Sequence, residues 1–250
     1  MSGHSRWAGI KHKKGAIDAK RGKVFTRIIR EITIAAKMGG GKPEANPRLR
    51  KAMDDAREAN MPQDNIKKAI QRGTGELPGV NYEEQVYEGY GPSGVALMID
   101  ITTDNKNRTA GEIRRLLSVR GGNLGETGSV GWVFSSKGIF VIEKSKATEE
   151  QLMTVALDAG AEDINSDDPD VFEVTSLPAD FEKVKKALEA AKIPLVSAEV
   201  TLLPKNYVKL SGEAATQMLA LMNELEEHDD VKNVYANFDI PKEIIEASSK

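Results

Sequence analysis

Residues 138–203 read GIFVIEKSKATEEQLMTVALDAGAEDINSDDPDVFEVTSLPADFEKVKKALEAAKIPLVSAEVTLL, and this stretch decides the fold. Its β-branched and apolar runs at 138–143, 162–165, 171–175 and 195–203 fit a pleated surface and read as strands. Between them, 148–159 and 179–191 carry apolar residues at helical spacing. The order βαββαβ is the split-βαβ or ferredoxin-like unit, which closes on itself. A self-closing unit in mid-chain implies an insertion. Outside it, residues 82–90, 95–103 and 130–134 read as strands and 108–119 as a helix. After the insertion come another helix and a last strand at 233–239, and these pieces complete a second α/β sandwich around the first.

Toward the N-terminus the pattern turns helical. Phe25, Ile28, Ile29, Ile32 and Ala35 lie on one face of a helix expected over 16–38, while Lys20, Lys23, Arg27, Arg30 and Lys37 recur on another. Gly39, Gly40 and Gly41 end it. Asn46 and Pro47 supply a cap and first-turn residue for a second helix, which buries Leu49, Ala52, Met53 and Ala56. A third helix starts near Pro62, presents Ile66, Ala69 and Ile70, and stops at Gly73. The Gly- and Pro-rich stretch 73–81 marks a boundary. The expected fold is therefore α+β and multidomain: an N-terminal three-helix domain followed by two ferredoxin-like α/β domains, one inserted in the other. The expected divisions are 1–79, 80–136 with 205–240, 137–204, and a C-terminal tail at 241–250.

Charge follows the same division. Residues 1–79 hold 18 Lys and Arg against 8 Asp and Glu, whereas the rest hold 17 against 30, so a formal net charge of −3 conceals strong polarity. Residues 1–37 carry 10 basic side chains against Asp18 and Glu31 alone. Such a block fits a polyanion, since clustered Lys and Arg on phosphate release counterions. The alternative is neutralisation of the acidic neighbour within the molecule.

Several classes of chemistry fall away. With no cysteine there is no disulfide framework, thiolate metal site or cysteine nucleophile. No apolar run approaches the roughly 20 residues of a membrane helix, and residues 1–14 lack the apolar stretch of a secretory signal, so a cytoplasmic protein is expected. The glycines near Gly15 and Gly22 miss the phosphate-loop spacing. GGNLGETG at 121–128 follows a helix, unlike a dinucleotide fingerprint, and reads as a tight loop. Gly91 to Gly94 is a turn. His4, His12 and His228 lack zinc-site spacing. Asp163, Asp167, Asp168 and Asp170 lack the glycine and closing glutamate of a calcium loop. No nucleophile, base and orienter assemble, so neither catalysis, nor a cofactor, a metal, a small-molecule substrate or a membrane partner is expected.

Two constellations remain. In the first, Arg6, Lys11, His12, Lys13, Lys14, Lys20, Arg21, Lys23, Arg27 and Arg30 surround Trp7, and this set is the expected nucleic-acid contact. Trp7 either stacks on a base or anchors the arm to the bundle. In the second, Lys106, Asn107, Arg108 and Thr109 open a helix, where cations oppose the dipole unless an anion is present, so a phosphate site is expected there. The competing reading pairs Arg108 with Glu112.

The arm and first helix, GHSRWAGIKHKKGAIDAKRGKVFTRIIREI, closely resemble the opening signature of the YebC/PmpR family. ANPRLRKAMDDAREANMP, YEGYGPSG, TDNKNRTAGEIR, GGNLGETGSVGW and VYANFDIP also resemble family blocks, so the likeness spans about residues 3–241. Arg6 stands where the family usually has lysine, and Gly9 where asparagine is common. The resemblance implies a helical domain followed by two α/β domains, and a DNA-binding transcriptional regulator. It also implies kinship with mitochondrial translational activators of cytochrome oxidase and with ribosome-associated factors, which would make ribosomal RNA the partner. Both readings use the same basic surface.

Overall fold

The structure, a computed structural model, describes residues 21–248, without the side chains of residues 21, 242, 246 and 248. Three helices come first: α1 (Arg21–Gly39), α2 (Pro47–Glu58) and α3 (Gln63–Thr74). The apolar spacing of α1 buries Ile32, Ala35 and Ala36 against Leu49, Ala52, Ala56, Met61, Ile66 and Ala69. Asn46 caps α2 by accepting from the Leu49 amide at 3.0 Å. Its amide nitrogen also donates to the carbonyls of Ala35 at 2.8 Å and Gly40 at 2.9 Å, which fixes the end of α1 against the start of α2. Gly73 lets α3 approach α1: a Cβ there would stand 2.4 Å from the Thr33 carbonyl oxygen.

A four-stranded antiparallel sheet follows. Strands β1 (Glu83–Tyr90) and β2 (Ala96–Thr103) form a hairpin across a turn at Pro92–Gly94, and α4 (Lys106–Val119) leads to the short β3 (Asn123–Leu124). The chain returns to this unit through β8 (Val208–Lys209), α7 (Gly212–Glu227), β9 (Val231–Ala236), β10 (Phe238–Asp239) and α8 (Lys242–Ser248). The sheet order is β3-β1-β2-β9, with β8 and β10 as a separate parallel pair. One sheet face packs Leu97, Ile99 and Ile101 against Ile113 and Leu117 of α4 and Met218, Leu221, Met222 and Leu225 of α7.

Between β3 and β8 lies the inserted unit: β4 (Phe134–Glu143), α5 (Glu149–Leu152, running on into a π turn at Met153–Leu157), β5 (Ala161–Asn165), β6 (Val171–Ser176), α6 (Phe181–Ala190) and β7 (Ser197–Pro204). Its antiparallel sheet has the order β5-β6-β4-β7, the arrangement expected of βαββαβ, around Phe140, Ile142, Leu152, Phe172, Val174, Val184 and Leu188. The outer sheet has the same spatial order when β2 is counted first, β3 second, β1 third and β9 fourth. Its third strand has moved to the front of the chain and joined the first by a hairpin. The α+β multidomain architecture is thus two such sheets and a helical bundle.

Several local expectations change. Residues 130–134 form a single helical turn at Gly131–Val133 rather than a strand, and β4 begins at Phe134 and runs without a break into the insert. Phe134 packs with Ala96, Val130 and Val133 of the outer unit, while Phe140 on the same strand belongs to the insert core. The last strand breaks at Asn237, whose side-chain oxygen takes the Ala96 amide at 2.7 Å. The terminal stretch read as a tail forms α8, with Ile245 fully buried against the outer core. A helix of seven residues, about two turns, is too short for periodicity to reveal.

Gly73→Ala tests the helix contact. Alanine gains roughly 1 kcal/mol over glycine inside a helix, but overpacking costs about 1–3 kcal/mol, and here the obstacle is backbone. A net loss of stability is expected in chemical denaturation followed by circular dichroism.

Candidate nucleic-acid interface

The apolar face of α1 is spent on the bundle, so its cations must point elsewhere, and three of them meet the end of α7. The last carbonyls of a helix lack intrahelical donors and carry the negative end of its dipole. Lys23 donates to the Glu227 carbonyl at 3.0 Å, and Arg27 donates to the carbonyls of Glu226 and His228. Arg30 donates to the carbonyl of Asp229 and to Oδ1 of Asp230 at 2.9 Å, and its guanidinium lies 5.4 Å from the centroid of the Tyr82 ring. These three expected nucleic-acid contacts therefore fasten the bundle to the acidic body. Arg27 and Arg30 are both partly buried: Arg30 is paired within the molecule with Asp230, and Arg27 is held by main-chain carbonyls.

Asp230 is the centre of this joint. It is 2% exposed, and its Oδ2 accepts from Thr103 Oγ1 at 3.1 Å, Thr109 Oγ1 at 2.6 Å and Arg108 Nη2 at 2.7 Å. Burial alone would raise its carboxyl. The hydrogen bonds from Thr109, Arg108 and Thr103, with the charge of Arg30, outweigh burial and hold the group below the ordinary aspartate value. One side chain thus ties the bundle, the end of β2 and the first turn of α4.

This changes the reading of Lys106, Asn107, Arg108 and Thr109. Thr109 is fully buried, so it cannot reach an external phosphate. Arg108 pairs with Asp104 at 2.8 Å as well as with Asp230, and only loosely with Glu112 at 3.9 Å. Lys106 pairs with Glu83 at 2.5 Å. The Asn105 side chain caps α4 by accepting from the Arg108 amide at 3.1 Å. Cations at the positive end of a helix are satisfied here by the protein's own carboxylates; Asn107 is exposed beside them.

A second ionic cluster flanks the first. Arg48 forms a two-pronged pair with Glu31 at 2.7 and 3.1 Å and another with Glu84 of β1 at 3.0 and 2.6 Å, while Lys232 of β9 reaches Glu31 at 2.8 Å. Such bidentate geometry is the strong form of the interaction. Burial would raise Glu31, but Arg48 and Lys232 lower it below its usual value. His228 is fixed nearby: its Nδ1 accepts the Asp230 amide at 3.1 Å, which leaves the proton on Nε2, 3.0 Å from Glu112. Glu112, His228 and Asp230 bring ligand atoms within 4.8 Å of one another, but the Asp230 oxygens already face two guanidinium groups, an environment hostile to a cation.

The bundle keeps other cations at its surface. Lys42, Arg50, Lys51, Arg57, Lys67, Lys68 and Arg72 are all exposed, with Lys51 and Arg57 pairing locally with Asp55 and Asp54. Lys42 and Lys67 border a groove of about 450 Å³ floored by Met53, Ile66 and Ile70. Arg6, Trp7, Lys11, His12, Lys13, Lys14, Lys20 and the side chain of Arg21 lie outside the described residues. Sequence reasoning missed Asp230, which sat in an acidic run, and Glu84, which sat in a strand; the only signal was the complementary charge of two segments far apart in the chain.

A cation-faced helical bundle clamped to the outer of two four-stranded α/β units is the class of protein that the fold and joint define. The comparisons agree with it. The model of the "TACO1/YebC protein N-terminal domain" matches residues 5–76, and that of the "TACO1/YebC second and third domain" matches residues 82–238. A protein of Endomicrobium trichonymphae is 59% identical over 247 residues, covering 98% of both chains, and one of Dictyoglomus turgidum is 58% identical over 250 residues, covering both completely. Each is named "probable transcriptional regulatory protein". The crystal structure of a conserved hypothetical protein from Aquifex aeolicus, 45% identical, superposes with a TM-score of 0.79 over 93% of this chain and 96% of that one. The chain belongs to the TACO1/YebC family.

Asp230→Asn tests the joint. Removing one partner of a buried ionic cluster costs about 3 kcal/mol. Because the folded carboxyl titrates below the ordinary aspartate value of 3.8, its contribution is present above that pH and is lost as pH falls through the folded value. The stability difference between wild type and variant is expected to be constant near neutrality and to shrink in acid below about pH 4, measured by denaturation at each pH.

Proposed function

We propose that this protein is a non-catalytic, cytoplasmic nucleic-acid-binding protein that regulates transcription by contacting duplex DNA through its basic N-terminal segment. The observation that carries the reading is the division of labour among the cations. Arg27 and Arg30 are consumed by the joint, whereas Arg6, Lys11, Lys13, Lys14, Lys20 and Arg21 lie ahead of it in a stretch whose only acid is Asp18. Phosphate is the anion whose repeat spacing rewards a cluster of this kind. The exposed Lys67, Lys68 and Arg72 of α3 extend the positive surface along the bundle. The names of the relatives supply the regulatory role, and none of them describes an enzyme. Among the described residues no helix is long and apolar enough to cross a membrane.

Contacts of this kind position a protein on the duplex without reading its sequence. The side chains that read bases in the major groove are Arg, Asn and Gln presented from a groove-sized helix, and Arg27 and Arg30 of α1 face the acidic body. The proposed mode is accordingly phosphate-led and strongly dependent on salt.

The test is the salt dependence of affinity for a duplex DNA, measured by fluorescence anisotropy. Each lost phosphate contact removes about one unit from the slope, so Lys11→Ala, Lys13→Ala and Lys14→Ala together are expected to flatten it by about three. An unchanged slope means that the arm is not the contact surface. A structured RNA tested in parallel, bound tightly while the DNA is not, would replace the transcriptional reading with a translational one.

A further inference from the structure

At the far end of β1 from the joint, the tryptophan of the turn Gly131–Val133 points outward. Trp132 is 67% exposed, yet everything beneath it is fixed. Glu88, 8% exposed, accepts the backbone amides of Gly128 at 2.7 Å, Val130 at 2.7 Å and Gly131 at 2.8 Å. Burial would raise this carboxyl, and the three amides more than offset it, so Glu88 is held in its charged form as an internal anion in a nest of N–H groups. Gly128 has φ of +88°, a conformation the loop requires and only glycine adopts freely. The indole Nε1 donates to the Ser129 carbonyl at 3.0 Å, the same carbonyl that receives the Tyr90 hydroxyl at 3.2 Å. Lys205, in the bend that follows β7, donates to the Trp132 carbonyl at 3.0 Å.

These contacts remove the reasons an indole usually has for staying at a surface. Its one polar atom is satisfied internally, and its ring is presented as an exposed apolar face. Burying it would be favourable by about 2 kcal/mol or more, so the fold forgoes stability by leaving it out. The exposed residues nearest it in the chain and at the Lys205 contact are polar or charged: Glu126 and Thr127 before it, and Lys205 and Asn206 in the bend after β7. An apolar protein partner would meet a rim of apolar neighbours here, and Ala96, Val130, Val133 and Phe134 are instead buried below the ring. Aromatic faces interleaved with lysines are the pattern that takes unpaired nucleotides, the ring stacking on the base and the ammonium reaching phosphate. Lys205 uses one of its three donors on Trp132 and remains exposed.

We infer that Trp132, with Lys205 beside it, is a stacking platform for an unpaired base of a single-stranded nucleic acid. Glu88 is its positioning residue. The platform stands roughly 20 Å along β1 from the Arg48–Glu84 pair that borders the bundle, so it is a contact separate from the basic arm. The inference rests on the nucleic-acid reading above and adds the strandedness of the ligand and the place where it is held.

The test titrates the full chain with oligo-dT, oligo-U and a mixed-sequence duplex, following the anisotropy of the labelled strand and the tryptophan fluorescence. The chain has two tryptophans, so the difference between wild type and Trp132→Phe isolates the signal of Trp132. Single-strand binding is expected to quench that signal. Trp132→Ala is expected to weaken single-strand affinity about tenfold, with Trp132→Phe, which keeps a ring, falling between. Lys205→Ala should lower the single-strand salt slope by about one unit. The two single strands separate a DNA from an RNA source. Thermal unfolding of each variant guards against loss of the fold, which an exposed residue is not expected to cause. If single strands bind equally to wild type and Trp132→Ala without quenching, the platform is wrong and the nucleic-acid reading stands. If no probe binds, both fall.

Discussion

The carboxylate of Asp230 accepts hydrogen bonds from Arg30, Thr103, Arg108 and Thr109, and nearly every other feature of the joint follows from satisfying it. A buried charge that loses its partners costs several kcal/mol, so neither guanidinium can leave for an external anion without taking a charged partner from that buried carboxylate. Arg30 is thereby committed to the body, Arg27 is drawn in alongside it onto the carbonyls at the end of α7, and α1 lies along the acidic unit. The flanking Arg48, Glu31, Glu84 and Lys232 cluster then sets the direction in which the bundle leans on the sheet.

That commitment divides the positive charge of the first helix region into two populations. Lys23, Arg27 and Arg30 of α1 are engaged with the acidic body, and the proposed partner is assigned to the cations ahead of them. Without the division the basic helix would be the obvious nucleic-acid surface; the proposed surface lies instead at the chain start and the outer face of α3. The same economy appears at Glu88, where a nest of amides that could hold an external anion is filled by an internal one, and the gain is a rigid mount for Trp132. In both places the anion that the backbone or the cations call for comes from the protein itself.

Much of the fold was legible because it rests on local periodicity. Ile32, Leu49 and Ile66 announce helices by their spacing, Asn46 and Pro47 announce a helix start, and the alternation of strand and helix from residue 138 to 203 announces a ferredoxin-like unit. What stayed hidden depends on pairing across distance. Nothing local tells β1 to take the third place in its sheet, because strand order is decided by which edges meet. The valines and Phe134 near Trp132 looked like a strand because an apolar run does not distinguish a buried turn from an extended segment. Arg108 looked like a phosphate ligand because its counter-charge, Asp230, lies 122 residues away. Charge patterning showed that α1 had a basic face and could not show what covers it.

The central claim is that nucleic acid is held by the residues ahead of α1 and not by the arginines of the joint. The most direct measurement is crosslinking of the protein to nucleic acid in living cells, with sequencing of the attached nucleic acid and mass-spectrometric mapping of the attached peptides. The account expects discrete DNA regions, attached through peptides from residues 1–21 and the outer face of α3, with the peptides bearing Arg27 and Arg30 unmodified. Recovery concentrated in ribosomal RNA, or attachment through Arg27 and Arg30, would contradict it.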